Sequence, residues 1–314
     1  MGPANADLAA RPLRLGTRRS SLARWQAGWV AERLERLGVP IQLVPISTQG
    51  DIASGPIGSL GGQGLFTREL QRALLDGRID LAVHSLKDLP TETVAGLTLA
   101  AVPPREDPHD VLVARGAARL ENLPPAARVG TGSARRRAQL LHARPDLLLQ
   151  DIRGNVDTRL RKLDEHQFDA LVLAAAGLLR LGLQDRITQV LPEAIVLPAV
   201  GQGALGIEAR ADDHELLERI APLDDLHARA CVTAERELLS QLRGGCLAPV
   251  AAWARSVASG LLQLDAVVLS ADGTQRIASR QSGPPQQARM LGGQAARELL
   301  AQGAAELIAT ARSG

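Results

Sequence analysis

Short apolar runs alternate with helix-patterned stretches through the first two hundred residues, which restricts the chain to a layered α/β fold. Residues 13–15, 41–46 and 79–83 read as strands. Ser20 or Ser21 can cap a helix whose apolar stripe is Leu22, Trp25, Trp29, Leu34 and Leu37, ending at Gly38. A second helix over 66–75 stops at Gly77. Residues 48–64 hold six glycines and few core formers and read as a long mobile loop. The pattern predicts a mostly parallel sheet with helices on its faces. A proline-rich stretch over 102–108 marks a boundary, after which the rhythm restarts: strands over 111–114, 128–130, 147–151 and 170–174, helices from Ala134 and Asn155. A second boundary falls at 197–203. Beyond residue 222 the pattern changes to a long helix (225–242), a Gly-Gly-Cys loop, alternating strands (250–253, 261–269, 276–280) and a final helix (287–301). That is an α+β domain with an antiparallel sheet.

Composition removes several function classes. The 314 residues carry a net charge of +2, so nothing global draws the chain to nucleic acid or a membrane. Aromatics are 2%, too few for a base-stacking surface. No apolar run is long enough to span a bilayer. The polar N-terminal stretch has no apolar leader pattern, and two cysteines make no disulfide framework, so a reducing cytoplasm is expected. Only Lys87 and Lys162 are lysines; the other basic residues are arginines.

Four segments could carry chemistry. Over 128–162, nine Arg and Lys residues stand against three aspartates. Within it, Thr131, Gly132 and Ser133 follow a strand and open a helix, bringing free backbone N–H groups toward Arg135 and Arg136; Arg153 and Asn155 repeat the arrangement after the next strand, with Arg159 beyond. Strand carboxyl ends and helix N-termini suit anions, and guanidinium forks suit carboxylates. Arg137, Arg144 and Arg161 read as a solvated face. Arg18 and Ser20 form a second strand-to-helix junction, equally readable as a plain helix cap. Lys87 and Asp88 end the strand over 79–83; a carboxylate among cations can stabilise a developing positive charge, or simply close the strand end as an ion pair. Gly244 and Gly245 leave the Cys246 thiol accessible. No CxxC spacing supports a metal site, and by itself Cys246 is readable as an unreactive loop thiol.

Together the segments 16–23 (GTRRSSLA), 64–70 (GLFTREL), 82–90 (AVHSLKDLP), 129–136 (VGTGSARR), 152–159 (IRGNVDTR), 198–204 (PAVGQGA) and 244–249 (GGCLAP) resemble the porphobilinogen deaminase (hydroxymethylbilane synthase) family of tetrapyrrole biosynthesis. The resemblance implies a fold of two α/β domains like those of type II periplasmic binding proteins, connected by a double crossover, with a small C-terminal α+β domain. Domain 1 would take residues 1–103 and 204–221, domain 2 residues 104–203, and domain 3 residues 222–314. It implies an enzyme that joins four porphobilinogens head to tail with loss of ammonia and releases hydroxymethylbilane with water. The chain would grow on a dipyrromethane cofactor bound through a thioether to Cys246. Asp88 would be the catalytic acid/base. Arg18, Ser20, Gln26, Lys87, Thr131, Ser133, Arg135, Arg136, Arg153, Arg159, Arg180 and Gln202 would hold the carboxylates of substrate and cofactor.

A cytoplasmic monomer is expected, its product passed to uroporphyrinogen-III synthase, with neither nucleic acid nor membrane as partner. The 48–64 loop would act as a lid. It departs from the family, with Ser59 and Gln63 where bacterial relatives often carry lysines; Gly132 and Leu247 also stand where polar residues are common. The competing readings are a periplasmic-type module that captures a small anion, which has no use for Cys246, and a nucleic-acid binder using the arginine segment.

Overall fold

The structure, a computed structural model, describes residues 11–46, 67–244 and 248–313. The chain runs through β1 (Leu13–Thr17), α1 (Ser21–Arg36), β2 (Ile41–Pro45), α2 (Arg68–Leu75), β3 (Leu81–Ser85) and β4 (Leu97–Ala101). Next come β5 (Asp110–Ala114), β6 (Arg128–Gly130), α3 (Ala134–Ala143), β7 (Leu148–Gln150), α4 (Val156–Asp164), β8 (Ala170–Ala174), α5 (Ala175–Arg180) and β9 (Gln189–Val190). The remainder forms β10 (Leu205–Arg210), α6 (His214–Ile220), α7 (Leu226–Leu242), β11 (Val250–Ser256), β12 (Leu262–Leu269), β13 (Arg276–Gly283), α8 (Ala288–Ala301) and α9 (Ala304–Ser313). Two compact units result, residues 1–103 with 205–225 and residues 104–204 with 226–314.

The first unit holds a five-stranded sheet ordered β2-β1-β3-β10-β4. Alternate residues of its strands feed two cores. Leu13, Leu15, Leu81, Val83, Leu205 and Ile207 pack under α1 and α6, and Ala82 faces Leu70, Ala73 and Leu74 of α2. The second unit repeats the plan as β7-β6-β8-β5-β9, again with a core on each face. The strands β1, β2 and β3 are parallel, as are β6, β7 and β8. The expectation of a mostly parallel sheet is met by four of the five strands in each unit, and the fifth is reversed. Strand β10 runs antiparallel to both β3 and β4, and β5 antiparallel to both β8 and β9. Each reversed strand is the first one the chain makes after crossing from one unit to the other. A shared strand order with one reversed strand after each crossover is the periplasmic-binding-protein-like architecture. Strand β3 is also displaced from the expected 79–83. The N–H groups of Arg78 and Ile79 close the end of α2 on Ala73 O, so the strand begins later and continues into Ser85.

The antiparallel sheet β11-β12-β13 lies in the second unit, packed by α7, α8 and α9 around Leu238, Leu264, Val268, Leu291, Leu299 and Ile308. A smaller cluster, Ala138, Leu197, Ala251, Val267 and Leu269, joins that sheet to α3.

Candidate active site

Because β1 and β3 are parallel neighbours, their carboxyl ends open on one edge of the first sheet. Past β1 come Arg18, half-buried, and Ser20, whose Oγ caps α1 by accepting from Ala23 N at 3.3 Å. Thr17 Oγ1 donates to Ala23 O at 2.9 Å and fixes the junction. Past β3, residues 86–88 form one 3-10 turn carrying half-buried Lys87 and exposed Asp88. Gln26 is buried on α1, and its Nε2 donates to Ser85 Oγ at 2.8 Å, tying the helix to the last residue of β3. On the opposite face, His84 Nε2 and Gln71 Nε2 converge on the buried Glu208 carboxylate at 3.1 and 3.0 Å. Arg18, Ser20, Gln26, Lys87 and Asp88 thus share one edge, on a turn whose strand is hydrogen-bonded from both faces.

The second unit presents the same edge with more cations. Past β6, Thr131 is buried, its Oγ1 accepting from Ser133 N, and Ser133 Oγ caps α3 through Arg136 N. Past β7, Arg153 is exposed, while Arg159 Nε donates to Gly154 O at 2.8 Å. Past β8, Arg180 is buried, with Nη2 donating to Gly203 O at 2.7 Å. Burial pulls the Arg180 guanidinium down to about 10 against the opposing pull of Glu106, so it stays cationic.

Sequence reasoning missed Asp110. Reversal of β5 brings the strand's first residue to the edge where its parallel neighbours end, opposite Ala174. The carboxylate is fully buried, 2.7 Å from both Arg135 Nη1 and Arg136 Nη2. Arg136 also donates Nε to Asp110 Oδ1 at 2.8 Å, Nη1 to Val172 O and Nη2 to Gln202 Oε1. Gln202 Nε2 reaches Pro108 O and Asp110 Oδ1. Arg135 is less engaged. Nη1 donates to Leu197 O, and buried Nε has no hydrogen-bond partner among the described residues. Burial pushes the Asp110 carboxyl up, but Arg135 and Arg136 outweigh it and bring it to about 2. Only the Asp-Pro-His-Asp run before the strand could have drawn attention to it.

Profiles of two porphobilinogen deaminase domains match the chain. The one described as "dipyromethane cofactor binding domain" covers residues 13–218, and the C-terminal domain covers 229–301. The porphobilinogen deaminase of Desulforudis audaxviator is 52% identical over 307 residues, 97% of this chain and 99% of that protein. That of Syntrophotalea carbinolica is 49% identical over 305 residues, 96% of each. The chain belongs to the porphobilinogen deaminase family. The family comprises transferases of tetrapyrrole biosynthesis, and the first profile makes the two α/β sheets a dipyrromethane-binding region. Similar solved structures include a nutrient binding protein from Burkholderia cenocepacia (TM-score 0.42, 14% identity, 66% of this chain and 89% of that one). Another is a periplasmic substrate-binding protein from Coxiella burnetii (TM-score 0.43, 15% identity, 67% and 91%).

The donors suit the carboxylates of the porphobilinogen deaminase cofactor. Arg135 and Arg136 share one carboxylate, and a buried guanidinium nitrogen is left over. Cys246 and the 48–64 loop lie outside the described residues, as do Ser59 and Gln63. Cys231, the other thiol, is buried on α7 with Sγ 3.7 Å from His227 Nε2. The solvated reading of Arg137 and Arg144 is corrected. Arg137 donates to Leu149 O and Asp151. Arg144 donates to Leu120 O and Leu123 O, backbone carbonyls brought close by the fold, and to the Asp146 carboxylate. Arg161 stays exposed, in an ion pair with Glu165.

Proposed function

We propose that the chain joins four porphobilinogens head to tail, releasing ammonia at each addition, and frees hydroxymethylbilane with water. The observation that carries this reading is 52% identity over 97% of the chain to a porphobilinogen deaminase, in a chain that places Lys87 and Asp88 on the turn ending β3. Dipyrromethane, held through a thioether to Cys246, supplies the primer for chain growth. Arg135, Arg136, Arg153, Arg159 and Arg180 hold acetate and propionate groups in the second unit, with Thr131, Ser133 and Gln202 supporting them. Arg18, Ser20, Gln26 and Lys87 do the same in the first.

Asp88 acts as acid and base. As ammonia leaves the substrate aminomethyl group, a carboxylate beside the resulting cation lowers its energy, and the same group relays the ring proton lost after coupling. We further propose the functional division 1–103 with 204–221, 104–203 and 222–314, a monomeric state, and transfer of the product to uroporphyrinogen-III synthase. No helix among the described residues is long and apolar enough to cross a membrane. A thiol that must stay free for cofactor attachment fits a reducing cytoplasm.

Intact mass of the purified protein, paired with ammonia release from porphobilinogen, tests the reading. Wild type and Cys231→Ser are expected to carry a dipyrromethane adduct and turn over; Cys246→Ser is expected to lack both. An adduct that follows Cys231, or a wild type with neither adduct nor turnover, overturns it.

A further inference from the structure

Two buried guanidinium groups against one buried carboxylate is an unusual balance. Net charge left in a desolvated place is costly unless another ion arrives to meet it. Arg135 and Arg136 are 4% and 6% exposed, and Asp110 between them is 0% exposed. The carboxylate is not placed by chance packing. It begins the one reversed strand of its sheet, and Gln202 holds Oδ1 through Nε2 at 3.0 Å. Oδ1 also takes Arg136 Nε, while Oδ2 lies 2.7 Å from Arg135 Nη1. Each oxygen therefore faces a different guanidinium, Oδ1 by hydrogen bonds and Oδ2 by an ion pair. Arg136 is tied down by further bonds to Val172 O and Gln202 Oε1. Arg135 keeps a buried Nε with no hydrogen-bond partner among the described residues.

We propose that Asp110 is a positioning residue for carboxylate capture: it fixes the place of Arg136 and aims Arg135 so that its free N–H edge receives a carboxylate of substrate or cofactor. The inference rests on the proposed function. Asp110 touches no reacting atom and acts through Arg135. A carboxylate that merely balanced charge would compete with the ligand for these arginines, and its removal would tighten binding. A carboxylate that positions them is needed for binding, and its removal weakens it.

The test uses the holoenzyme, with porphobilinogen as the probe. Asp110→Asn removes the charge. Asp110→Glu keeps the charge but displaces it by one methylene, and Gln202→Met removes a neutral hold on Oδ1; these two report if Asp110→Asn fails to fold. For folded protein, KM is expected to rise on the order of tenfold in Asp110→Asn and Asp110→Glu, and less in Gln202→Met, with kcat changed far less. The adduct fraction by intact mass is expected to fall in the same order. Unchanged KM and adduct fraction in the folded variants, with only a lower unfolding midpoint, would make Asp110 a structural counter-ion and overturn the inference. Tighter substrate binding by Asp110→Asn would overturn it too. Failure of the wild type to turn over porphobilinogen strikes the functional reading itself, before any variant is compared.

Discussion

At the scale of residues, charge alone did not separate arginines that hold the fold from arginines proposed to hold a ligand. Arg144 illustrates the first kind. Its guanidinium spans Leu120 O, Leu123 O and both oxygens of Asp146. Arg144→Leu is expected to cost on the order of 1–3 kcal/mol, since two carbonyls and a carboxylate lose their donor. Urea unfolding should show the loss, while kcat per folded molecule stays at the wild-type value; a lost activity at full stability would contradict this placement. Asp110 sets an acid limit. Its folded value lies below its unfolded one, so its contribution is complete above about pH 4 and disappears as pH falls toward about 2. The amount at stake is on the order of 2 kcal/mol. A urea midpoint that does not decline more steeply between those values than in Asp110→Asn would speak against the pair. The cap of α1, Ser20 or Ser21 from sequence and Ser20 in the structure, was legible because a cap and its helix are neighbours in sequence. Asp110 and the carbonyl partners of Arg144 were not, because both depend on where distant strands and loops arrive.

At the scale of elements, the periodicities located most helices and strands, but not the direction of β5 and β10. An apolar run reads the same whichever way the strand points, and only the crossing of the chain between units decides it. That direction is what delivers Asp110 to the site. Contacts between elements were equally hidden, and Gly273 is an instance. It sits in the β12–β13 turn at φ +76°, and an added Cβ would come within 2.5 Å of Ala138 O and 2.6 Å of His142 N on α3. His142 Nδ1 lies 2.8 Å from Gly273 O on the same contact. The turn therefore presses on the helix that carries Arg135 and Arg136. Gly273→Ala meets both a left-handed backbone and a backbone clash, and is expected to destabilise by on the order of 2 kcal/mol or more. Thermal unfolding measures it. A variant as stable as wild type would show that α3 yields freely to this turn.

At the scale of the whole molecule, the antiparallel sheet shares one compact unit with the second α/β sheet, so chemistry that joins those two sheets bears on the stability of the entire unit. His109 is such a junction. Its Nδ1 lies 2.6 Å from Asp107 Oδ1 and its Nε2 3.8 Å from Glu193. Its ring packs edge-on against Trp253 of β11 with centroids 5.2 Å apart, and Arg255 stacks over the same indole while pairing with Glu193 and Asp265. The hydrogen bond to Asp107 raises the His109 value above the usual 6.5, against burial and with help from Glu193. Asp107 is lowered from 3.8, chiefly by the same bond. A raised histidine contributes fully below its unfolded value and loses that contribution as pH climbs through the folded one; a lowered aspartate contributes above its unfolded value and loses it as pH falls. The pair is therefore strongest between about 4 and 6.5 and weakens on the alkaline side first. Trp25 and Trp29 both lie on α1, so their replacement by Phe leaves Trp253 as a single fluorescent reporter of the second unit. Its unfolding temperature is expected to drop by a few degrees from pH 6.5 to pH 9, and the drop is expected to shrink in His109→Gln. An identical pH slope with and without His109 would remove this contact from the account of how the two sheets stay together.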